Sequence, residues 1–164
     1  MQLLLLIPAI GVIYWVFKSR APSRRDAAAA PLRKHVLAPP ASAPACHWQD
    51  GGRYATEVVV ESAFQGVIRA LAGEPGERGA DAPFPAVLVP DDLNAYDDKA
   101  VAVFVAGQLV GYLAREDALN LRRKLGRGGM AGLPTSCDAR VRGGGLWQGK
   151  RLSYNVVLDI PSFD

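Results

Sequence analysis

The sequence predicts a mainly β (α+β) fold, a small barrel of six strands with two helices, carried behind a single transmembrane helix and an unstructured linker. Three observations lead there. The chain has 164 residues, 49% hydrophobic and 21% charged, enough for one compact domain with a remainder but not for two. Its 17 glycines and 12 prolines imply many turns, which suits short strands better than a helical bundle. From Trp48 onward, short apolar runs broken by turn residues outnumber helical patterns.

Met1–Phe17 (MQLLLLIPAIGVIYWVF) carries no charge, closes on Tyr14, Trp15 and Phe17, and stops at Lys18. At about 1.5 Å per residue it covers roughly 25 Å, and it spans a core of about 30 Å if the bilayer thins and Lys18 snorkels. A cleaved leader needs basic residues before the apolar run and a small-x-small site after it, and the sequence has neither. A buried core helix is disfavoured by Pro8, Gly11 and the lack of a polar face. Residues 18–34 hold six basic side chains against Asp26 alone. The positive-inside rule then predicts a single-pass protein of the inner or plasma membrane, N-terminus outside and domain in the cytoplasm. Residues 21–45, with nine Ala, five Pro and no aromatic, read as a tether within a linker at 18–47.

The domain is expected over 48–164. Ala55–Val60 reads as a strand, and Phe64–Leu71 places Phe64, Val67, Ile68 and Leu71 on one helical face. Gly73–Pro83 reads as a loop. Phe84–Val89 and Ala100–Ala106 read as strands, with Val101, Val103 and Val105 on one face and Gly107-Gln108 as a two-residue turn into Leu109–Leu113. Arg115–Leu125 is an amphipathic helix with Ala118, Leu121 and Leu125 inward and acidic residues in its first turn. Cys137–Arg142 and Leu152–Ile160 close the barrel.

The chemistry available is sparse. His35 and His47 with Cys46 and Cys137 are too few for a structural zinc site, and the two cysteines are expected as free thiols in a reducing compartment. No Ser/His/Asp or Cys/His set and no phosphate-binding glycine loop between strand and helix is present. Asp91, Asp92, Asp97 and Asp98 are oxygen ligands of the kind Mg²⁺ or Ca²⁺ takes, but a solvated loop explains them as well. The expectation is a non-enzymatic domain without cofactor or metal, a metal-dependent hydrolase being the remote alternative.

Phe84–Leu113 (FPAVLVPDDLNAYDDKAVAVFVAGQLVGYL) resembles the HIRAN domain family, found at the N-terminus of helicase-like DNA-repair translocases and as a solo or fused bacterial module. The family pattern, a hydrophobic strand, LVPEPxNPYDxNAVxV, a turn and VGYL, is met by Leu88-Val89-Pro90, Asn94, Tyr96-Asp97, Ala100-Val101, Val103 and Val110-Gly111-Tyr112-Leu113. Val60-Glu61-Ser62 with Phe64-Gln65 looks like its GESxYQ segment, and the likeness extends over about 55–160, ending in a closing hairpin. The resemblance implies an OB-like or SH3-like barrel and, from DNA-binding members, a pocket for a single strand's 3′ end. There Tyr96 would offer a stacking face worth ~1–3 kcal/mol, Asp97 would accept from a 3′-hydroxyl and repel a 3′-phosphate, and Asn94 would meet a base edge or sugar. Asn94 and Asp97 are equally turn residues, and Tyr96 could simply cap the core. The chain departs from the pattern at three places. Ala95 stands for a proline, Ser62-Ala63 for a basic–aromatic pair, and Tyr112 for a histidine.

The net charge of +3 is unevenly spread. Residues 48–118 hold five basic and 12 acidic groups, whereas 119–151 hold eight basic groups against Asp138. Arg122, Arg123, Lys124, Arg127, Arg140 and Arg142 would form a phosphate-tracking patch if helix and hairpin share a face. The sequence thus points to a membrane-anchored module that binds single-stranded DNA or other nucleic acid. Its alternative is a membrane-tethered module for an unknown protein partner, with the DNA-end pocket lost.

Overall fold

The computed structural model describes residues 37–59, 61–73 and 76–163. The expected membrane segment and its basic flank lie outside these residues, and among the described residues no helix is long and apolar enough to cross a membrane. What is described belongs to one compact unit, His35–Asp164.

In chain order the elements are β1 (His47–Trp48), β2 (Thr56–Val59), α1 (Gln65–Ala72), β3 (Ala80–Pro90), β4 (Val101–Val105), β5 (Gln108–Leu113), α2 (Arg115–Arg127), β6 (Thr135–Gly143), β7 (Leu146–Trp147), β8 (Lys150–Arg151) and β9 (Tyr154–Leu158). Six strands pair antiparallel in the order β6-β3-β4-β5-β2-β9, and β9 returns to β6, so the sheet closes into a barrel. Closure leaves none of the six strands with a wholly open edge that would recruit other strands. The period-2 alternation sends Ala86, Leu88, Val101, Val103, Val105, Ala139, Val141, Val156 and Leu158 into one core. Ile68 of α1 and Ala118, Leu121 and Leu125 of α2 complete it, each larger side chain contributing about 1.5–3 kcal/mol by leaving water. All these ladders and core residues lie within 35–164, so the unit is self-contained.

The observed elements differ from the sequence expectation in four places. Pairing begins before Trp48, because His47–Trp48 runs parallel to Ser136–Cys137 and the Ala45 N–H donates to the Pro134 carbonyl at 2.8 Å. Ala80–Pro83 is strand, not loop. This first half of β3 pairs with β6 but extends past the end of β4, leaving an edge where the missing N–H of Pro83 and Pro85 costs no ladder bond. The β4–β5 turn is Ala106-Gly107, with φ of +48° and +74°, rather than Gly107-Gln108; Val105 pairs with Gln108 around it. Finally, β7 and β8 form a small hairpin of their own.

Two local devices lie within the segments that carry the family resemblance. Val103 pairs with Gly111 and Phe104 with Leu109, so Val110 is an extra, bulged residue. Beside it Gly111 (φ +152°) admits β2, since a Cβ there would stand 2.5 Å from the Val59 carbonyl oxygen. Gln65 behaves like a strand residue although it opens α1. Its Nε2 donates to the Tyr154 carbonyl and its Oε1 accepts the Tyr154 N–H, both at 2.9 Å, clamping the helix to β9.

Candidate functional site

Asn94, Tyr96 and Asp97 lie on the loop of residues 91–100 between β3 and β4, and Tyr112 lies on β5. The Asp91 N–H donates to the Ala100 carbonyl at 2.9 Å and the Ala100 N–H to the Asp97 carbonyl at 3.0 Å, which pins the loop at its neck. Asn94 organises the interior. Its Oδ1 accepts the N–H of Tyr96 at 3.0 Å and of Asp97 at 3.3 Å, while its Nδ2 donates to Asp91 Oδ2 at 3.3 Å. A side-chain oxygen capping amides two and three residues ahead is the turn that asparagine favours. Asp97 Oδ1 then accepts the Lys99 N–H at 2.9 Å.

The consequence is that Tyr96 points away from the protein. It is 98% exposed, so it covers no part of the core. Asp97 beside it is only 21% exposed at the side chain, and its Oδ2 faces Arg115 Nε at 3.7 Å. Tyr112 is partly buried on the outer face of the barrel, paired with Ala102 and Val59, and its hydroxyl interacts with Asn94 and Asp91. Burial first, and then the charge of Asp91, push its pKa up, which keeps the phenol a protonated donor. Asn94 and Tyr112 are therefore brought together, with Tyr96 and Asp97 held on the same turn.

The basic residues fall into separate groups. Arg122 is ion-paired to Asp92 with its side chain 15% exposed, so it braces the acidic loop. Arg140 and Arg142 flank Asp81 at 2.8 and 3.3 Å and lie over the Tyr54 ring at 5.2 and 5.8 Å. The hydrogen bond from Arg140, ahead of that from Arg142, holds the Asp81 carboxyl below its usual range. Tyr54 is set by the preceding loop, where Asp159 accepts the Gly52 N–H on both oxygens, at 2.9 and 3.1 Å. Among the described residues no carboxylate pairs with Arg123, Lys124 or Arg127 at the end of α2. Arg123 and Arg127, with Asn120, Gly126 and Phe163, line a shallow groove of about 500 Å³.

Two residues here have roles that the sequence did not show, Asp91 being readable there only as an oxygen ligand for a cation. Asp91 is 2% exposed and binds the Asn94 amide, and its signal was an acid directly after an apolar strand. Arg115 opens α2, where the helix dipole disfavours a cation, and Asp97 offsets that cost. The acidic quartet is engaged with protein groups, Asp92 with Arg122, Asp97 with Arg115 and Asp98 with Lys99 at 2.8 Å. Among the described residues no group of three or more His, Cys, Asp or Glu side chains is placed to hold a metal. Both cysteines are free, and burial pushes the Cys137 thiol up to about 12.

Comparisons with protein-family models, curated proteins and solved structures give no match to this chain.

Proposed function

We propose that residues 48–164 form a HIRAN-like, OB-like module that binds the free 3′ end of single-stranded DNA without catalysis, carried on a membrane anchor at residues 1–17. The observation that carries this reading is the pairing of a fully exposed Tyr96 with a recessed Asp97 on one asparagine-capped turn. An aromatic ring held out by a braced loop has no packing role and offers a face to an unstacked base. The Asp97 carboxylate accepts from a terminal hydroxyl and repels a terminal phosphate, and Arg115 next to it suits the preceding phosphate. Tyr112, as a donor, replaces the ionisable histidine of the family pattern.

Asp92 and Asp81 hold Arg122, Arg140 and Arg142, which leaves Arg123, Lys124 and Arg127 of the expected patch for phosphate contact, with Arg115, ion-paired to Asp97, at the strand end. Three or four contacts to a single strand correspond to a slope of log K against log salt of about −2 to −3, whereas all eight basic groups of 119–151 would give nearly −6.

Fluorescence polarisation with strands ending in 3′-hydroxyl or 3′-phosphate tests the reading. The hydroxyl end is expected to bind about tenfold more tightly, with Asp97→Ala erasing the preference and Tyr96→Ala weakening both ends. Binding indifferent to the end and abolished by salt would reduce the site to a basic patch. No binding by any strand would favour the protein-interaction module.

A further inference from the structure

The β7–β8 hairpin stands apart from the barrel sheet. Its turn, Gln148-Gly149, takes φ of +50° and +74°, the tight turn whose twist matches a hairpin. Its base is fixed by three bonds: the Leu146 N–H to the Glu77 carbonyl at 3.0 Å, the Leu152 N–H to the Gly145 carbonyl at 2.8 Å, and Arg151 Nη1 to the Gly144 carbonyl at 2.6 Å. The projection so formed displays Leu146 at 43%, Trp147 at 66% and Leu152 at 51% exposure. Each cross-strand pair joins an apolar side chain to a cation, Leu146 with Arg151 and Trp147 with Lys150.

We propose that residues 146–152 dock the barrel on an anionic phospholipid surface. An indole rests at headgroup level, leucines enter the acyl boundary, and Lys and Arg keep their charges among the phosphates while their stems lie along apolar groups. No carboxylate lies within 146–152, so the segment complements a negative leaflet. The inference rests on reading residues 1–34 as an anchor with a basic flank, because the 21–45 tether then keeps the barrel within reach of that leaflet. Trp147 could also stack on a base, but Leu146 and Leu152 have no complement on a phosphate backbone.

Co-sedimentation of residues 35–164 with vesicles of phosphatidylcholine alone, or enriched in phosphatidylserine, separates these occupants. Binding is expected to be about tenfold stronger to the serine lipid, to weaken with salt, and to blue-shift the tryptophan emission. Trp48, packed edge-on against Phe163 at 5.0 Å, is the unchanged internal reference. Trp147→Ala should abolish the shift and weaken vesicle binding about tenfold, and Lys150→Glu with Arg151→Glu should do the same, while single-strand affinity stays at the parent value. The parent unit binding both vesicles equally, or Trp147→Ala binding like the parent, would overturn the proposal. A Trp147→Ala variant that lost strand binding, with no vesicle binding by the parent, would assign the hairpin to nucleic acid. The tested unit lacks the anchor and the strand site is titrated separately, so failure here leaves both other readings standing or falling on their own results.

Discussion

Individual residues in this barrel divide by what surrounds them. Cys137 of β6, paired with Ala86 of β3 and Trp48 of β1, belongs to the core, and burial, followed by the charges of Asp138 and Asp159, raises its thiol from 9.0 to about 12. Cys46 lies on the surface strip beside Ser136, partly exposed. A disulfide-exchange reagent at neutral pH should therefore modify Cys46 first and Cys137 only on unfolding. The sign of the pH effect follows. The folded protein holds the Cys137 proton above the pH at which the unfolded chain releases it, so this stability is complete below pH 9.0 and fades as pH rises towards about 12. Urea unfolding across that window should show stability falling with pH, and Cys137→Ala should flatten the fall. A Cys137 that reacts in the native state as fast as Cys46 would contradict its placement.

At the scale of elements, what was legible in the sequence tracked periodicity. The alternation Val101, Val103, Val105 and the spacing Ala118, Leu121, Leu125 each carry a repeated signal, and both faces point into the core. Elements without a repeat were not legible. β1 is two residues paired in parallel to a distant strand, and the early half of β3 is masked by prolines that only the unpaired edge makes tolerable. The turn slipped by one residue because Ala106 adopts φ of +48°, a conformation that composition assigns to glycine. For the site, Asn94 and Asp97 were readable as turn formers, and the bonds from Asn94 to the next amides are that local turn, but the exposure of Tyr96 depends on how the loop sits against the barrel, which the local pattern does not carry. Gln65 looked like one member of a motif, yet its task is to join α1 to β9 through the Tyr154 backbone. Gln65→Ala leaves that backbone pair without its partner and should cost about 1–3 kcal/mol in urea unfolding, with the far-UV spectrum unchanged. Gln65→Glu keeps an acceptor for the Tyr154 N–H and loses the donor to its carbonyl, so it should recover little.

For the whole molecule, the charge of +3 says little until it is placed. Six of the basic groups precede residue 35, and within the barrel unit Asp92 takes Arg122 and Asp81 takes both Arg140 and Arg142. Among the described residues, Arg69 and Arg78, then Arg123, Lys124 and Arg127 at the end of α2, and Lys150 and Arg151 of the projecting hairpin have no carboxylate partner, and Arg115 at the start of α2 has Asp97. The asparagine-capped turn sits at the start of α2, through Arg115, and Arg123, Lys124 and Arg127 sit towards its end, about 12 to 18 Å further along a helix of 13 residues. A strand end seated at Tyr96 and Asp97 would thus lead its phosphates along α2. Amide chemical-shift mapping of residues 35–164 during titration with a short single strand tests this most directly. With a 3′-hydroxyl strand, the largest shifts are expected at 94–97, 112 and 115, with smaller ones at 123–127, and the 94–97 shifts should vanish with a 3′-phosphate. Shifts confined to 140–142 or 146–152, or identical for the two ends, would contradict an end-binding site on this loop.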